Sequence, residues 1–157
     1  PLVVLVTEEF RDAEHEQLLK VHAANPGGIV VLELPWTNGG GAEYVLATNA
    51  HLLGDPLLGR SARALCEILA LLRSEAGPDR PLIAIGDGDQ PSLALTLAQL
   101  AGAGADEARV DETEASFVNL FDQALPAADV LAWGLLEVAD LPWLRSCAHR
   151  VAASATD

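Results

Sequence analysis

Short, unbroken apolar runs alternate along this chain with longer stretches in which apolar residues recur at helical spacing. Leu2 to Val6 reads LVVLV, Ile29 to Leu34 reads IVVLEL and Leu82 to Ile85 reads LIAI, and Ala108 to Val110 is a further candidate for a short strand. Continuous Val, Leu and Ile over this length, bounded by turn residues, predict strands covered on both faces, as in a parallel sheet. Between them the spacing predicts helices. Asp12 is placed to cap one through about Ala24, which Asn25-Pro26-Gly27-Gly28 would end. Another runs from about Pro56 to Arg73, with Leu58, Ala62, Leu65, Leu69 and Leu72 on one face and Arg60, Arg63 and Glu67 on another. Glu114 to Leu125, Ala127 to Ala139 and Leu141 to Ala148 are further helical segments, and Val151 to Thr156 is a weak last strand. Pro35 to Gly41 reads as an open loop, where three glycines allow either mobility or a close approach. Thr48 to Pro56 reads as irregular. Strands alternating with helices predict an α/β domain, a mostly parallel sheet with helices on both faces in a three-layer sandwich.

One unit stands at the centre of this pattern. Pro81 to Gly102 runs from a buried strand through Gly86-Asp87-Gly88-Asp89-Gln90 into a helix from Pro91, with Gly102 as its stop. After Pro91 the polar residues of that helix are Ser92, Thr96 and Gln99, one thin stripe among Leu and Ala. A helix apolar nearly all round is buried on most sides. Such strand–turn–helix units are where α/β proteins place their chemistry.

Composition narrows the partners. The 157 residues suffice for one domain with a substantial core, and half of them are hydrophobic. A net charge of −14 argues against nucleic acid and anionic membrane surfaces, both of which call for basic patches. No apolar run approaches the roughly 20 residues that span a bilayer. Cys66 and Cys147 offer neither a disulfide framework nor a zinc spacing, and Cys66, inside ALCEILALL, reads as a core residue. Trp133 and Trp143 sit in apolar surroundings and read as core aromatics. The chain contains no methionine and opens directly on a strand, so a segment of something longer is expected.

Three stretches carry a likeness to a known family. Pro81 to Ala101 is similar to the strand, nucleophile elbow and helix of serine esterases, with Leu93-Ala94-Leu95 at their usual small and apolar positions. Ile29 to Gly40 is similar to the preceding strand and its Gly-rich loop. Asp129 to Arg150, including GLLEVADLPWLRSCAHR, is similar to the segment leading to the strand that bears the triad acid. Together they resemble the α/β-hydrolase fold, most closely the acetyl xylan esterase and dienelactone hydrolase type. The resemblance implies a single domain over residues 1–157 that lacks the first strands and the last strand–helix. It also implies a small-molecule ester or carbohydrate as ligand, and no cofactor or metal.

The catalytic residues of that family do not carry over. In G-x-S-x-G the serine sits on a strained turn with its oxygen exposed above the sheet. Here Gly88 stands at the nucleophile position, flanked by Asp87 and Asp89. Where such enzymes carry a His-Gly pair after the first of these strands, this chain has Thr7-Glu8, and a carboxylate there opposes a developing oxyanion. Asp157 falls near the acid position, but no histidine follows it, and His149 precedes it. His15 and His22 would lie about 10 Å apart by helical rise, too far to share one metal. His51 has no visible acid or cysteine partner in the pattern.

The expectation is therefore a degenerate, non-catalytic hydrolase-like domain with a structural or binding role. Two alternatives stay open. Ser92, the nearest hydroxyl, would be the nucleophile of an active esterase, or simply a packed helix residue. Gly86 to Pro91 begins like G-x-G-x-x-G, but Pro91 replaces the third glycine and two carboxylates would face a pyrophosphate. Asp106, Glu107, Asp111, Glu112 and Glu114 lack a calcium-loop spacing and read as a solvated acidic edge.

Overall fold

The computed structural model describes residues 1–7, 24, 27–34, 41–110, 143 and 146. Four strands and three helices fall within them: β1 Leu2–Thr7, β2 Ile29–Glu33, α1 Gly41–Leu52, α2 Leu57–Ala76, β3 Leu82–Asp87, α3 Asp89–Leu100 and β4 Glu107–Val110. All four strands are parallel and stand in the order β2-β1-β3-β4. The α/β class and the parallel sheet follow the apolar pattern. The predicted helices over 12–24, 114–125, 127–139 and 141–148, and the last strand, lie outside the described residues or nearly so.

Burial on both sides explains the unbroken apolar run of β1, whereas β2 is only partly covered, with Val31 37% exposed. In β1, Val3 is 2% exposed on one face, while Val4 and Val6 on the other are fully closed. Parallel register aligns Val4 with Val30 and Ala84, and Ala84 with Ala108, so small and branched side chains form one continuous row. Against that row pack Leu58, Leu65 and Leu69 of α2 and Leu93, Ala94, Leu95 and Ala98 of α3. The α2 periodicity is observed: Leu58, Ala62, Leu65 and Leu69 are buried, whereas Arg60, Arg63 and Glu67 face solvent. Fully burying a leucine contributes about 1.5–3 kcal/mol, so these two helices and their sheet make a self-consistent core.

The central unit forms as its sequence suggests, with an earlier start. Helix α3 begins at Asp89, which places Pro91 third rather than first. Proline is tolerated there because the first four N–H groups of a helix have no internal partner. The helix ends at Leu100. Gly102 follows at φ +85°, and the N–H of Ala103 returns to the carbonyl of Ala98, the left-handed stop that glycine favours. The polar stripe is not a solvent face. Ser92, Thr96 and Gln99 are all buried, and each donates to a carbonyl: Gly86 at 3.2 Å, Ser92 at 2.8 Å and Ala105 at 3.2 Å. Buried hydroxyls and amides need such partners, which lets α3 be enclosed nearly all round.

Two further expectations are corrected. Thr48 to Leu52 is not irregular but the second half of α1. Trp143 is 55% exposed rather than core, on a helical turn where the Ser146 hydroxyl donates to its carbonyl at 2.8 Å. Residues three apart share a helix side, and both of these face outward.

The amino-terminal edge of the sheet is fastened by polar groups. Arg73, near the end of α2, donates to the carbonyls of Arg80 at 2.7 Å and Gly104 at 3.2 Å and forms an ion pair with Asp106. The Asp106 carboxylate also accepts the Leu82 N–H at 2.7 Å, and the Asp106 N–H donates to the Leu82 carbonyl at 2.9 Å. One residue thus supplies both halves of an extra rung between β3 and β4. The acidic stretch is therefore not uniformly solvated: Asp106 is half-buried and bonded, while Glu107 lies exposed beside Arg109 at 2.7 Å.

Candidate functional site

The strand order places one crevice by topology. The chain steps from β1 to β2 in one direction and returns across β1 to β3, so the winding reverses between β1 and β3. In open parallel sheets, ligands sit beyond the carboxyl ends of the strands at such a reversal. Here those ends are Thr7 and Asp87, which are register partners. Thr7 is 3% exposed and Asp87 open to solvent. The turn singled out in the sequence and the loop that follows β1 therefore begin side by side. Glu8 lies outside the described residues.

Gly86 and Gly88 shape the turn for separate reasons. A Cβ on Gly86 would stand 2.9 Å from the Cα of Ser92, closer than real Cβ atoms come, and a tight 3.1 Å from the carbonyl carbon of Pro91. Only glycine lets the first turn of α3 lie this close to β3. Gly88 precedes the helix at φ 97° and ψ 172°, a region essentially reserved for glycine. Its carbonyl accepts the Ser92 N–H at 3.1 Å, closing the first helical turn. Gly88 thus brings backbone and no side chain to this turn. Asp87 stands immediately before Gly88. Asp89 is the first helical residue.

Ser92 is not presented to the crevice. Ser92 is 3% exposed, and its hydroxyl donates to the carbonyl of Gly86. A serine nucleophile gives its proton to a base, and a backbone carbonyl is not one. Gln90, in the first turn of α3, is fully buried, which its polarity in sequence did not suggest. The signal available was its place in the first turn of a helix whose other residues are almost all apolar.

The remaining candidates are dispersed or undescribed. His51 lies on α1, away from the turn in sequence. His15, His22, His149, Cys147, Trp133, Asp111, Glu112, Glu114 and Asp157 lie outside the described residues. Cys66 sits on the rim of the core with its Sγ 3.6 Å from the Ala98 carbonyl. Burial pushes its thiol pKa up, and the nearby Glu67 charge adds to this against a lowering backbone hydrogen bond. Among the described residues no three His, Cys, Asp or Glu side chains come together as a metal site. None of the described helices is long and apolar enough to cross a membrane. The chain matches no protein-family model, no curated protein and no solved structure.

Proposed function

We propose that this chain is a degenerate α/β-hydrolase-like domain that binds a small ester or carbohydrate ligand, or serves a structural role, without cleaving esters. The observation that carries the proposal is the backbone of Gly88, at φ 97° and ψ 172°, where a serine esterase would present its nucleophile. Ser92, the one hydroxyl in that first helical turn, is occupied in bonding Gly86 and adds to the support. The crevice beyond Thr7 and Asp87 is the ligand seat by topology, and the Asp87 carboxylate there disfavours anionic ligands. The test is reaction with a fluorophosphonate probe, together with hydrolysis of a small activated acetyl ester at neutral pH. We expect neither labelling nor turnover above background. Labelling at Ser92 would mean that the hydroxyl leaves Gly86 and meets a base, and the proposal would fall.

A nucleotide-binding domain is the second reading. It rests on the close approach of α3 to β3 at Gly86, one of the tasks glycine performs in dinucleotide-binding turns. Against it, Asp87 would face the phosphates. A thermal shift with NAD, FAD or ATP would favour this reading over the first.

A further inference from the structure

We draw no further inference here: the strongest candidate, the exposed apolar patch of Val45, Leu46, Leu52 and Leu53 along α1 and the turn after it, carries none because nothing in the structure shows what covers it.

Discussion

The carbonyl of Gly86 accepts the hydroxyl of Ser92 at 3.2 Å, and the same glycine has no room for a Cβ against the Ser92 backbone. Strand β3 and helix α3 are therefore joined at contact distance by their main chains. The atoms that a methyl group would meet belong to backbone and cannot rotate away. Gly86→Ala should destabilise the domain by about 1–3 kcal/mol, the range for overpacking a closed interior. Urea unfolding would read this as a lower midpoint at unchanged slope. A midpoint equal to that of the parent would show that α3 can retreat from β3.

Gly88 is constrained by dihedral angle instead of by space. At φ 97° and ψ 172° a side chain is strained wherever it points, so Gly88→Ser should cost about 1–3 kcal/mol. The variant should also remain inactive toward an activated acetyl ester, because a hydroxyl without an adjacent base stays a weak nucleophile. Serine-dependent turnover in this variant would reveal a base beside the turn. His15, His22, His51 and His149 would then be replaced one at a time.

The Arg73–Asp106 pair gives a pH dependence whose sign follows from its contacts. Partial burial raises the Asp106 pKa, but the Leu82 N–H and the Arg73 guanidinium together lower it further, so the net value lies below the ordinary 3.8. A carboxyl depressed on folding contributes stability in full above its unfolded pKa and loses it as acid carries the pH down through the folded one. Stability should thus be flat near neutrality and fall as the pH drops below about 4. Asp106→Ala should lower stability at pH 7 by about 1–3 kcal/mol, since it leaves the buried Leu82 N–H without this acceptor. It should also flatten the acid limb. Part of that limb should survive through Asp55 and Glu107, whose pKa values are lowered chiefly by hydrogen bonds from Arg63 and Arg109 respectively. An acid limb of unchanged steepness would show that Asp106 is not tied to Arg73 in solution.

Cys66 should be a slow thiol. Its raised pKa leaves little thiolate at pH 7, and the thiolate is the reactive form. In a Cys147→Ser background, alkylation by iodoacetamide should be several-fold slower in the native protein than in denaturant. Equal rates in both states would place Cys66 outside the packed rim.

The physical reason some elements were readable in sequence is that they are closed on many sides. Strand β1 and helix α3 have apolar residues at nearly every position, and α2 shows one clean leucine stripe. Helix α1 shows no such signature among its described side chains: Val45, Leu46 and Leu52 are 57%, 47% and 77% exposed, and Ala50 is the apolar residue buried there. Pattern reading fails where burial does not impose a pattern. For the stripe of Ser92, Thr96 and Gln99 the sequence shows the polar groups but not the carbonyls that satisfy them, which are invisible in a list of side chains. Arg73 and Asp106 are 33 positions apart, and only the fold makes them neighbours.

The pair of hydrogen bonds between Asp106 and Leu82 has a consequence for alignment. Strand β4 is four residues long, and so short a ribbon could slide against β3 with little loss of pairing. A slip of one position would turn Ala108 and Val110 outward and drive Glu107 and Arg109 into the leucine row. Asp106 forbids this, because its amide and its carboxylate address the two polar atoms of a single residue. The sheet thus carries a chemical index mark at this margin, and the strand is admitted in one frame alone.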